Sequence, residues 1–265
     1  MRKRLISAFI MLLIGIPIFL MGGNLYNLMI ILIAMLGLKE FIDIKETRKK
    51  LPLFVKVLSY IFLVLFLILN IGKDIYLFMI DFRIISCLFI TFLLPTILYH
   101  DREKYSITDS FYMIGGLFFI GASFILLISM RTYNMSLLIY LLLITIFTDT
   151  FAYIIGRLVG KTKLLEEISP NKTLEGTIGG TLVGTYIASL YYYVVISSDK
   201  LLQVIIITIF LSILGQFGDL FFSAIKRYYG KKDFSNLIPG HGGILDRVDS
   251  ILFVLLGFML FITIL

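Results

Sequence analysis

The stretch LLQVIIITIFLSILGQFGDLFFSAI, residues 201–225, holds one charged side chain, Asp219. A helix that crosses the hydrocarbon core of a bilayer needs about 20 mostly apolar residues. The stretch reads as one such span. An ionised group inside a span is expensive, so Asp219 invites a functional reading. Working outward, similar runs near 5–22, 25–42, 52–72, 78–99, 109–130, 135–156, 176–197 and 244–265 bring the expected number of spans to about nine. Composition agrees: the chain is 59% hydrophobic and 15% charged, with mean hydropathy +1.00. A soluble domain has about 25% charged residues, and lipid must solvate the apolar excess here. The sequence therefore predicts an all-α, polytopic integral membrane protein.

The spaces between the runs give an orientation. With the N-terminus inside, 19 of the 24 Lys and Arg residues fall on the cytosolic side, including Arg2, Lys3 and Arg4, Lys45 to Lys50, Arg102, and the loops around Lys163 and Lys231. Lys56 and Arg83 lie near span ends, and the other side keeps Lys73, Arg131 and Lys200. This bias is the positive-inside pattern. It predicts a cytosolic N-terminus, an external C-terminus and a multi-pass protein of the cell membrane. It also accounts for the net charge of +7 without nucleic acid as a partner. The first run resembles a signal peptide, but no small-x-small cleavage site follows it near Met21–Leu25, so it reads as a retained helix. The lone Cys87 excludes internal disulfides and thiolate metal clusters. Residues 1–130 read as transmembrane helices without a motif. Residues 131–265 carry the candidate chemistry and the two longest polar loops, 157–175 and 226–243.

Asp219 precedes Lys226 by seven residues, or roughly 10 Å of helix. The last span must begin near Ile244, because the 16 residues from Ser250 onward cover only about 24 Å. Asp246 and Asp249 then occupy its first turns, on one face, where a helix N-terminus favours negative charge. Asp149 reaches a comparable depth. Carboxylates gathered at one level need a cation, and hard oxygen donors without thiolate suit Mg²⁺. Ion pairs with Lys226, Arg227 or Arg247 are the alternative. The surroundings favour phosphate. Asp219, Ser223, Lys226 and Arg227 share a helix face. A basic run through Lys232 follows, then the glycine-rich turn Pro239-Gly240-His241-Gly242-Gly243 ahead of a helix start. In the earlier loop, Ser169-Pro170-Asn171 reads as a turn and Thr173 as the cap of the next span, with Lys172 placed either to meet a phosphate or to mark the cytosolic side. The spacing Gly176, Gly180, Gly184 predicts close helix packing and allows a homodimer.

Read together, Ser223-Ala-Ile-Lys226-Arg227, Lys232-Asp233 and Pro239-Gly240-His241-Gly242-Gly243-Ile-Leu-Asp246-Arg247-Val-Asp249 resemble the signature of the phosphatidate cytidylyltransferase family. Asp149-Thr-Phe-Ala-Tyr153 and Ser169-Pro170-Asn171-Lys172-Thr173 resemble a second stretch of it, with Phe151, Asn171 and Leu174 departing from the usual pattern. The two stretches cover about a quarter of the chain. The resemblance implies that CTP and phosphatidic acid give CDP-diacylglycerol and pyrophosphate, with Mg²⁺ alone or with a second metal ion, at the cytosolic face of the membrane. It implies catalytic roles for Asp219, Lys226, Arg227, Asp246, Arg247 and Asp249. Substrate contacts would come from Lys172, Thr173, Glu175, Ser223, His241, Gly242 and Gly243, and metal ligation from Asp219, Asp246, Asp249 and Asp149. Three rivals are weaker. A CDP-alcohol phosphotransferase would show a D-G-x2-A-R string, which is missing. An ion-coupled transporter would hold its aspartates near the bilayer midplane within an inverted repeat. A scaffold would not explain buried carboxylates.

Overall fold

The computed structural model describes residues 2–72, 82–99, 101, 103–197 and 199–264. Lys73, Arg102 and the first residues of the expected 78–99 span lie outside this set. Each expected apolar run contains a helix among the described residues: α1 (Arg2–Met21), α2 (Gly23–Glu46), α3 (Leu53–Asn70), α4 (Phe82–Leu98), α5 (Ile107–Tyr133), α6 (Met135–Val159), α7 (Leu174–Tyr191), α8 (Leu201–Tyr228) and α9 (Leu245–Phe258). Six are long and apolar enough to cross a membrane: α2, α3, α5, α6, α8, and α7 with its π-helical extension to Ile196. Large apolar side chains on these helices stay uncovered, as in Leu182, Ile206 and Ile213.

Two features differ from the sequence expectation. Residues 169–171 are not a turn. Ser169–Thr173 is a strand, β2, paired antiparallel with β1 (Lys163–Leu165), and the reversal falls on Glu166–Ile168. Among the described residues this hairpin and the single bridge between Ile238 and Gly242 are the departures from an all-α chain. The last run is helical only to Phe258. Beyond it, Phe261 N–H bonds to Phe258 O at 2.9 Å and Ile264 N–H to Phe261 O at 2.8 Å, a three-residue spacing that tightens the chain.

The chain forms two compact units. The first comprises 1–132 with 233–245. Its centre is α5, whose residues from Ile120 to Met130 are all buried. Gly116 and Gly121 make room there for the rings of Phe41 and Phe66. Arg131 caps the end of α1 by donating to Phe19 O at 2.8 Å and Leu20 O at 2.9 Å. Residues 233–245 join this unit through Glu40 of α2, which accepts from the N–H groups of Ile244 and Leu245.

The second unit comprises 133–232 with 246–265. Asn134 caps α6 by accepting from Ser136 N–H at 2.9 Å, as the residue type at a helix start predicts. Thr173 caps α7 as expected, accepting from Gly176 N–H at 3.2 Å. The glycine spacing on α7 also does what it predicts. A Cβ on Gly180 would stand 2.5 Å from Thr148 O, and one on Gly184 would stand 2.3 Å from Thr148 Oγ1. The α6 and α7 backbones therefore touch, and polar side chains bridge across to α8. Tyr140 Oη meets Thr208 Oγ1 at 2.6 Å and Thr148 Oγ1 meets Ser212 Oγ at 2.7 Å.

Candidate active site

The α6–α7 seam and the hairpin wall a cavity of about 550 Å³ in the second unit. Asp149, Tyr153 and Arg157 reach it from α6, Asn171 to Thr173 from β2, Thr177 from α7, and Gln216 and Asp219 from α8. Each strut has a local cause. Gly156 and Gly160 lie so close to Thr173 that a Cβ on either would stand within 2.8 Å of its Oγ1, which brings β2 against the end of α6. Glu175 accepts from Lys161 N–H and Thr162 N–H, both at 3.1 Å, and so holds the base of the hairpin. Arg227 donates to Ile168 O at 3.2 Å and pins its tip. Gln216 donates to Thr181 Oγ1 at 2.8 Å and ties α8 to α7.

Acid and base alternate through this part of the second unit. Lys172 Nζ stands 2.8 Å from Asp219 Oδ2, with Ser223 Oγ donating to the other oxygen at 3.3 Å. Lys226 Nζ stands 2.6 Å from Asp246 Oδ1, both side chains less than a tenth exposed. Asp149 accepts from Ser250 Oγ at 3.0 Å, and Asp249 from Ser250 N–H at 2.9 Å. The charges of Asp149, Asp219 and Asp249 act on one another, and Lys172 and Lys226 offset them.

The structure therefore brings Asp149, Lys172, Asp219, Ser223, Lys226, Asp246 and Asp249 into one connected polar region of the second unit. It gives Glu175 and Arg227 work on the hairpin backbone. Thr173 is buried as a cap, and Arg247 is exposed. His241, Gly242 and Gly243 belong to the first unit, where His241 Nδ1 lies 2.8 Å from Ser7 Oγ. Among the described residues no three acidic or histidine side chains are gathered tightly enough to share one ion. Asp219 and Asp246 each face an ammonium group instead, so positive charge already stands at two of the expected ligands. Sequence reasoning gave no site role to Tyr153, Arg157, Gln216, Ser250 or Glu40. Gln216 was findable, since it lies three residues before Asp219 on the face that continues through Ser223 and Lys226.

Comparisons with known proteins point the same way. A sequence model of the Cytidylyltransferase family matches residues 2–265. The phosphatidate cytidylyltransferase of Staphylococcus haemolyticus is 35% identical over 255 residues, covering 96% of each chain. That of Staphylococcus saprophyticus is 34% identical and that of Staphylococcus aureus 32%, with the same coverage. A match that runs from the first helix to the last, with a charged cavity between apolar helices, places this chain in the cytidylyltransferase family.

Proposed function

We propose that this protein is a phosphatidate cytidylyltransferase: it joins CTP to phosphatidic acid, giving CDP-diacylglycerol and pyrophosphate. The observation that carries the reading is the cavity, where Lys172 and Arg157 face Asp219 and Asp149 among apolar helices. A lipid headgroup reaches such a site from the bilayer, and a nucleotide reaches it from water.

An oxygen of the lipid phosphate attacks the α-phosphorus of CTP. The bond from that phosphorus to the bridging oxygen of the β-phosphate breaks, and pyrophosphate leaves. The attacking phosphate is already anionic, so no general base is required. Such transfers depend on positioning and on charge neutralisation. Lys172 and Arg157 would bind phosphate oxygens in the cavity. Lys226 and Arg247 would balance the charge that builds beside Asp246. In the glycine-rich turn 239–243, Pro239 has no N–H and that of His241 is bonded to Ile238 O, so Gly240 and Gly242 are the residues whose N–H groups would meet a phosphate.

The donor chemistry fits Mg²⁺, which takes one or two carboxylates and completes its shell with substrate phosphates and water. One or two of Asp149, Asp219, Asp246 and Asp249 would hold it, alone or with a second ion, since no three acidic side chains among the described residues are gathered around one point. When bound, it neutralises phosphate charge. The distribution of Lys and Arg supports nine spans, a cytosolic N-terminus and a site open to the cytosol in the cell membrane.

The test is pyrophosphate release from CTP by the purified protein with Mg²⁺. Release is expected with phosphatidic acid and not with diacylglycerol, which lacks the attacking phosphate. A chelator should stop it and added Mg²⁺ restore it. Equal release with both lipids would contradict the reading.

A further inference from the structure

We propose that Glu40 is a positioning residue, whose carboxylate holds both ends of the glycine-rich segment 235–245 in its working conformation. What that segment does in the reaction rests on the function proposed above; how it is held does not. Glu40 lies in the apolar helix α2 and is 2% exposed. A carboxylate buried there is costly unless donors surround it. Its donors all come from one distant segment. Oε1 accepts from Ser235 Oγ at 2.6 Å and from Ile244 N–H at 2.8 Å, and Oε2 accepts from Leu245 N–H at 2.9 Å.

This arrangement supplies something the local sequence lacks. Helix α9 starts at Leu245, and the first N–H groups of a helix need acceptors. A Ser, Thr, Asp or Asn just ahead usually provides one. The chain here reads Gly242-Gly243-Ile244, with no acceptor side chain. Glu40 acts as the cap from another helix, and its negative charge suits a helix N-terminus. Residue 243 must be small for this: a Cβ there would stand 2.6 Å from both Glu40 oxygens. Between the anchored ends, Ile238 N–H bonds to Gly242 O and His241 N–H to Ile238 O, both at 2.9 Å. Gly240 and Gly242 complete the turn at φ of 80° and 81°, values that favour glycine. Backbone N–H groups held in advance need no rearrangement when a phosphate arrives.

The experiment compares full-length wild type, Glu40→Gln, Glu40→Ala, Ser235→Ala and Gly243→Ala in detergent–lipid micelles. Two readouts are taken: steady-state turnover of CTP and phosphatidic acid, and amide hydrogen exchange. Each bond to a charged group is worth roughly tenfold, so Glu40→Gln should lower kcat about tenfold and Glu40→Ala about a hundredfold. KM for the lipid should stay within about twofold, since the cavity residues are untouched. Exchange should accelerate at residues 240–245 and stay unchanged in α6 to α8. Gly243→Ala should mimic Glu40→Gln and add little to Glu40→Ala, because both act through one contact. Ser235→Ala, the mildest change, should still quicken exchange in the segment. Unchanged exchange in the Glu40 and Ser235 variants would overturn the clamp. So would a loss of activity explained wholly by a smaller folded fraction with normal kcat. If wild type makes no CDP-diacylglycerol, the functional reading falls, and exchange alone decides the clamp.

Discussion

Two lysine–aspartate pairs in the second unit have similar lengths and opposite expectations. Lys226 and Asp246 meet at 2.6 Å with side chains 9% and 4% exposed. Breaking a buried pair leaves an uncompensated charge and costs about 3–5 kcal/mol. Asp246→Asn should therefore lower stability in a detergent melt as well as remove turnover; near-normal activity would take Asp246 out of the site. Lys172 and Asp219 meet at 2.8 Å but are 22% and 30% exposed, and an exposed pair contributes about 1 kcal/mol or less. Lys172→Ala should leave the melt almost unchanged while raising KM for CTP at least tenfold. Kinetics equal to wild type would reduce Lys172 to a hairpin residue. Asp219 was legible in sequence because one charge interrupts a long apolar run. Glu40 carries no such signal, because it stands beside Lys39 and just ahead of Asp43, Lys45 and Glu46; its partners lie 195 to 205 residues away, and no spacing rule connects them.

Among the elements, the seam between α6 and α7 sets the shape of the cavity. The stripe Gly176, Gly180, Gly184 announced close packing, and the structure spends that stripe on α6 within the chain. Gly180→Leu would drive a side chain into Thr148 O and Ala152. Overpacking of this kind costs about 1–3 kcal/mol or more, and the cavity should deform with it. Gly115→Ala, where nothing lies within 4 Å of the added carbon, should leave the melting temperature unchanged or higher. Equal melts for the two variants would show that the seam does not depend on its glycines. The hairpin was not legible, because β1 has three residues and β2 five. Strands that short show no alternation, and Pro170 argues for a turn unless a strand has a free edge to tolerate it.

For the whole molecule, hydropathy located every helix among the described residues, since lipid imposes length and apolarity on each one separately. The division into two units was out of reach. It depends on segment 233–245 joining the N-terminal helices, an arrangement that long-range hydrogen bonds fix. The charge bias makes a testable statement about orientation. In a Cys87→Ser background, Lys163→Cys should react with an impermeant thiol reagent only in inside-out vesicles, and Asp199→Cys only in right-side-out ones. Reaction of both from one side would remove a span from the proposed nine.

The central claim is the transfer itself, and label position tests it most directly. Purified protein is incubated with phosphatidic acid, Mg²⁺ and CTP labelled at either the α- or the γ-phosphate. The account predicts that α-label passes into the lipid fraction as CDP-diacylglycerol, while γ-label stays in water as pyrophosphate. No α-label in the lipid fraction, or γ-label found there, would contradict it.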